Sequence, residues 1–157
     1  MYMIVFLYPI FYNLFIKYKE YYHSQWNYKG ETSMIDFKNG SFLKLKKTNG
    51  KENAALINPL LVDEEWIVSE YQTIRDFVVF TNKRIIAVNV QGLTGKKKDF
   101  TSIPYSKIQV FSIETAGMLD LDSELDITIS GLGTIRFEFT GASDIVQIGK
   151  LIASYTL

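Results

Sequence analysis

Three consecutive lysines, Lys96-Lys97-Lys98, follow a glycine-flanked loop, Gln91-Gly-Leu-Thr-Gly95. At a loop tip such a cluster offers a contact for anions. Against an anionic membrane surface each lysine contributes about 1 kcal/mol, and Leu93 beside them is placed to dip into lipid. The plainer reading is a solvated strand edge whose charge blocks stray pairing. It is favoured here; the first hairpin turn, Tyr71 to Asp76, offers only Arg75, with Asp76 adjoining it. Gly92-Leu-Thr-Gly95-Lys96-Lys97 fails as a phosphate loop, since its spacing is wrong and neither Ser nor Thr follows Lys96. Asp120, Asp122, Glu124 and Asp126 have the density of a calcium loop, but Leu125 stands where the EF-hand turn needs glycine. Their alternation with Leu121, Leu125 and Ile127 reads as the wet face of a strand. Asp63-Glu64-Glu65 offers paired acids for acid/base work, yet no partner group adjoins them, so a solvated strand entry is expected. Thr81 and Arg84 flank Asn82-Lys83 and read as hairpin geometry with a cross-strand hydrogen bond.

The exclusions are firmer. The chain has no cysteine and one histidine, His23. From Met34 onward neither residue occurs, so Ser-His-Asp and Cys-His catalysis and His- or Cys-ligated metals are ruled out there. Formal net charge is zero, which argues against nucleic acid as a partner. No catalytic, cofactor-binding or metal-binding residue is assigned, and no cofactor is implied.

The elements that would position these groups are strands. Phe77-Val-Val-Phe-Thr-Asn-Lys-Arg-Ile-Ile-Ala-Val-Asn-Val90 is two β-rich runs joined at Asn82-Lys83. Strands are also expected over Trp66 to Tyr71, Lys97 to Ile103 (an edge) and Lys107 to Glu114. The cleanest alternation places Leu125, Ile127 and Ile129, then Ile135, Phe137 and Phe139, on one buried face. A helical turn or two over Glu52 to Ile57 should stop at Asn58-Pro59. Ser143 is expected to N-cap a final helix with Asp144 in its first turn. Ile145, Ile148, Leu151, Ile152 and Tyr155 form its apolar stripe. The whole is mainly β: a seven-stranded antiparallel barrel or sandwich closed by one C-terminal helix.

Residues 1–33 differ. Seven of the ten tyrosines lie between Tyr2 and Tyr28, and the stretch to Ile16 is apolar apart from Asn13. A membrane helix needs ~20 apolar residues, and Pro9 interrupts this run. A signal peptide would begin with positive charge and end in small residues. The favoured expectation is that Met34 is the true initiator, because Lys29-Gly30-Glu31 can be encoded by a ribosome-binding sequence. A membrane anchor is the alternative. The chain is accordingly divided into an extension, 1–33, and a domain, 34–157, expected to be cytoplasmic, or membrane-associated if residues 1–22 are translated.

The stretches Phe80 to Gly92, Phe100-Thr-Ser-Ile-Pro-Tyr-Ser-Lys-Ile108, Phe111-Ser-Ile-Glu-Thr-Ala-Gly117 and Asp120-Leu-Asp-Ser-Glu-Leu125 resemble the small, single-domain bacterial pleckstrin homology (PH) family. The resemblance covers essentially Met34 to Leu157. It implies a PH-like fold, no enzymatic activity and ring-like homo-oligomers. The closing helix departs from eukaryotic PH domains in lacking a tryptophan; Trp26 and Trp66 lie elsewhere. The expected function is a non-catalytic binding or scaffold module acting through self-assembly and through protein or peptide partners. Trp66, Leu93 and Phe111 are its candidate exposed contacts. The alternative is a peripheral module binding anionic lipid headgroups through Lys96, Lys97 and Lys98.

Overall fold

The computed structural model describes residues 44–50, 52–92, 94–118, 121–141 and 143–157. The extension 1–33, its boundary at Met34, His23, Trp26 and Leu93 lie outside the described residues. No helix among the described residues is long and apolar enough to cross a membrane.

Two antiparallel sheets face each other as a sandwich. The first has five strands in sequential order: β1 (Lys46–Lys47), β2 (Ile67–Gln72), β3 (Phe77–Thr81), β4 (Arg84–Gln91) and β5 (Lys97–Pro104). The second has three: β6 (Ile108–Glu114), β7 (Ser123–Ile129) and β8 (Gly133–Phe139). A short helix, α1 (Ala54–Ile57), precedes β2, and a longer one, α2 (Ile145–Thr156), ends the chain. Seven strands were expected; with the two-residue β1, the described residues hold eight.

Side-chain periodicity explains the layering. In β7 and β8, Leu125, Ile127, Ile135, Phe137 and Phe139 turn inward, and the charged residues between them turn out. β3 is buried at all five positions. Its inward Val78 and Phe80 join the main core, while Phe77 and Val79 meet Ile86, Val88 and Ile57 on the sheet's other face. α1 supplies Ile57 to that second cluster. An unbroken apolar run therefore marks the strand covered on both sides. At the centre, Tyr71, Phe80, Phe137 and Phe139 form edge-on and tilted ring contacts, the closest with centroids 4.7 Å apart, a geometry that adds about 0.5–1.5 kcal/mol per pair beyond burial.

Leu45 sews the sheets together at one corner. Its N–H donates to Glu138 O (2.8 Å) and its carbonyl accepts from Thr140 N–H (2.9 Å), while the next two residues pair with Gln72 and Tyr71 of β2. One continuous stretch thus belongs to both sheets. α2 packs on β6, β7 and the 3-10 turn Tyr105–Lys107. A β-bulge between Ile108 and Val110 shifts the phase of β6 so that Phe111 falls on the core side opposite Ile127.

Local structure departs from expectation at Asn58 and at the last helix's cap, and it narrows the expected Tyr71–Asp76 turn. Asn58 keeps helical dihedrals before Pro59 because the chain tightens there into a 3-10 turn, Asn58–Leu60, which accepts proline at its start. The turn between β2 and β3 is Thr73 to Asp76, closed by Thr73 N–H to Asp76 O (2.8 Å). The last helix begins at Ile145 with Asp144 at its N-cap and no side-chain cap. Ser143 Oγ instead meets Ser123 Oγ at 2.5 Å, and the Asp144 carboxylate takes the Lys47 ammonium.

Candidate interaction surface

The tight Asn82-Lys83 turn organises one end of the first sheet. Thr81 Oγ1 accepts the N–H groups of Lys83 (3.1 Å) and Arg84 (2.9 Å), and donates to Glu65 Oε1 (2.7 Å). Arg84 grips the same carboxylate with two nitrogens, Nε to Oε1 (2.9 Å) and Nη2 to Oε2 (3.0 Å). It also reaches Leu60 O and Ser102 Oγ. The Glu65 side chain is fully buried, so it is no solvated strand entry. Charged residues are buried when paired, and the partner lies nineteen positions downstream. Burial pushes the Glu65 carboxyl up, but the bonds from Arg84, Val62 N–H and Thr81 outweigh it and hold the group below the usual carboxylate range. Tyr105 closes the network from the core by donating to Thr81 O (2.8 Å), and burial raises its phenol far above the ordinary value. The buried carboxylate and its partners act as a clamp on this end of the sheet.

The clamp presents Trp66. Its N–H is fixed by Asn82 Oδ1 (2.9 Å) and its carbonyl by Asn82 N–H (3.1 Å), yet the residue is 59% exposed, with Val62 and Val68 also exposed nearby in sequence. Phe111 is a correction. It is half-buried against the main core, because α2 comes close over β6: a Cβ built on Gly149 would stand 3.2 Å from Ile113 Cδ1 and 3.9 Å from the Phe111 ring. The register shift that turns Phe111 inward is invisible to plain alternation. Leu93 lies outside the described residues.

At the β4–β5 turn, Lys96 and Lys97 are exposed, while Lys98 donates to Gly95 O (3.1 Å). Gly92 and Gly95 adopt positive φ, as the turn requires. The structure adds a cation here. Arg75, on the neighbouring β2–β3 turn, donates to Gly92 O (2.5 Å), and Asp76 Oδ1 accepts from Val90 N–H (2.8 Å). Asp76 thereby ties the β2–β3 turn to the end of β4. Ile74, at the tip of that turn, is completely exposed. β5 runs from this turn as an edge strand with β4 as its one hydrogen-bonded neighbour among the described residues.

On the outer face of the second sheet, Arg136 binds Asp126 with two nitrogens (2.8 and 2.7 Å) and Glu124 with a third (2.8 Å). These acids thus serve a cross-strand ion-pair ladder on the wet face. Among the described residues no group of three or more His, Cys, Asp or Glu side chains is arranged to hold a metal ion.

Residues 36–156 match the family model of the bacterial PH domain. The uncharacterised protein YjqA of Bacillus subtilis is 46% identical over 97 residues, spanning 60% of this chain and 78% of that protein. The uncharacterised protein YozO of the same organism is 32% identical over 116 residues, spanning 74% of this chain and 96% of its own length. A crystal structure of a pleckstrin-homology domain protein from Shewanella loihica superposes with a TM-score of 0.63 at 40% identity, covering 73% of this chain and 99% of that one.

Proposed function

The chain belongs to the bacterial PH domain family, and from that premise we propose that it is a non-catalytic binding module that works through protein contacts and assembles with copies of itself into a ring. The supporting observation is the edge of β5, eight residues long with a strand partner on one side only among the described residues. Such an edge recruits a further strand by main-chain hydrogen bonds. Trp66, exposed on a rigid backbone, is suited to act as the side-chain anchor, since contact energy concentrates in a few aromatic residues. An edge on one copy and an anchor patch on the next make a head-to-tail contact, which closes into a ring when the rotation allows. Light scattering on the full chain tests this. A mass that is a fixed multiple of the monomer, reduced by Trp66→Ser with no loss of melting temperature, supports the reading. A monomer at micromolar concentration overturns it.

A second reading has its own observation. The Arg75 bond to Gly92 O adds a fourth cation to Lys96, Lys97 and Lys98, beside the exposed Ile74, which suits an anionic lipid surface. Co-sedimentation with anionic vesicles at low and physiological salt is its test. Pelleting that weakens with salt and disappears on Lys96→Glu/Lys97→Glu supports it; pelleting unchanged by either rules it out.

A further inference from the structure

β2 carries an unfinished edge. β1 pairs with it only at Lys46 and Lys47, and Thr48 N–H adds one bond to Glu70 O (2.9 Å). The chain then turns away at Gly50, whose φ of 71° suits glycine and whose N–H is held by Thr48 Oγ1 (3.2 Å). Beyond that point Ile67, Val68 and Ser69 have β3 as their one strand neighbour among the described residues. A groove of about 300 Å³ remains beside them, walled by Ile67 and Val68, with Ser69 and Glu70 in its lining.

Glu70 makes this more than a bare edge. It is 1% exposed. Its Oε1 accepts from Thr48 Oγ1 and from Asn53 Nδ2, both at 2.9 Å. Its Oε2 is buried and has no donor among the described residues. The lysine that also lines the groove, Lys47, is committed to Asp144. The site therefore offers the open side of β2 at Ile67 to Ser69, two apolar walls and, in its lining, a glutamate with one oxygen that lacks a donor among the described residues. A buried acceptor is best completed by a charged N–H donor, whose hydrogen bonds are roughly twice as strong as neutral ones.

We propose that this groove receives an extended peptide segment that continues the line of β1 along β2 and sets a lysine or arginine side chain on Glu70. Side chains of an added strand alternate between faces, so one basic residue flanked by β-formers fits the geometry. The site is distinct from the β5 edge and does not depend on ring assembly: light scattering reads the one and peptide titration the other.

The test is fluorescence anisotropy of the full chain with labelled, end-blocked peptides TVTKTVT, TVTQTVT and TPTKTPT. The expected result is binding of TVTKTVT about tenfold tighter than TVTQTVT, no binding of TPTKTPT, whose prolines remove strand donors, and slowed amide exchange within residues 67–70. Glu70→Gln should erase the preference for lysine. Equal affinity for the lysine and glutamine peptides overturns the proposal, as does binding of the proline peptide, protection confined to other residues, or no binding at millimolar peptide. The peptide exchange needs only the wild-type chain, so it decides even if Glu70→Gln fails to fold.

Discussion

Replacing Arg84 by methionine should remove a large fraction of the protein's stability, and lowering the pH should return part of it. Methionine keeps much of the side chain's length and loses every donor. Glu65 would retain only Thr81 Oγ1 and Val62 N–H, with its side chain still fully buried. Breaking one partner of a buried pair typically costs about 3–5 kcal/mol, because the remaining charge is left uncompensated. At about 2.1 cal/mol/K per residue, the unit 35–157 unfolds with an entropy of roughly 0.26 kcal/mol/K, so the melting temperature should fall by about 12–20 °C. The pH dependence gives the sign. In the wild type the Glu65 carboxyl is held below its unfolded value, so its contribution is fully present above the ordinary glutamate range and is lost as pH falls through the lower folded value. In the variant, burial dominates and raises the group. Protonation then relieves the variant, and the stability gap should narrow between neutral pH and about pH 5. Urea denaturation at the two pH values measures both quantities. A loss under about 1 kcal/mol, or a gap that stays constant with pH, would refute the view that Glu65 is a buried charge dependent on Arg84. Glu65→Gln/Arg84→Met should be more stable than Arg84→Met alone, because the orphaned charge is gone.

Further outcomes are expected elsewhere. Leu45→Ala should cost about 2–5 kcal/mol in urea denaturation, since the side chain is fully buried and leaves a cavity where the sheets meet. Tyr105→Phe removes the bond to Thr81 O and should lower stability by roughly 1 kcal/mol, with the melting transition still cooperative. Gly149→Ala should be close to neutral: helix propensity gains about 1 kcal/mol, and the 3.2 Å approach is to the terminal methyl of Ile113. Gly149→Leu in the same thermal melt should destabilise by about 1–3 kcal/mol, because the methyl cannot withdraw far enough.

How much of this was legible depended on whether the signal was local. The β3–β4 and β7–β8 hairpins and the closing helix follow from alternation and the i, i+3, i+4 stripe, patterns set by neighbours in the chain. The edge position of β5 followed from its polar composition. Glu65 was misread because its partner is distant in sequence; only the hairpin's return brings Arg84 under it. Phe111 was misjudged because a one-residue bulge reverses which side faces in. Ser143 has the right chemistry for a cap, but Ser123 claims its hydroxyl. The contact of Arg75 with Gly92 O joins two turns seventeen positions apart, and only the fold brings them together. Glu70 stood unremarked in an ordinary strand, since nothing in its neighbours announces an incomplete hydrogen-bond shell.

The seam at Leu45 also bears on the order of events in folding. It joins positions 45 and 139, which closes a loop far longer than that of any hairpin. By the logarithmic law for loop closure, bringing those ends together costs about 3 kcal/mol more than closing a four-residue turn. The hairpins are therefore expected to form first and the seam last. A ribosome must release nearly the whole chain before the two sheets can be fastened, and until then the aromatic centre has no lid at that corner.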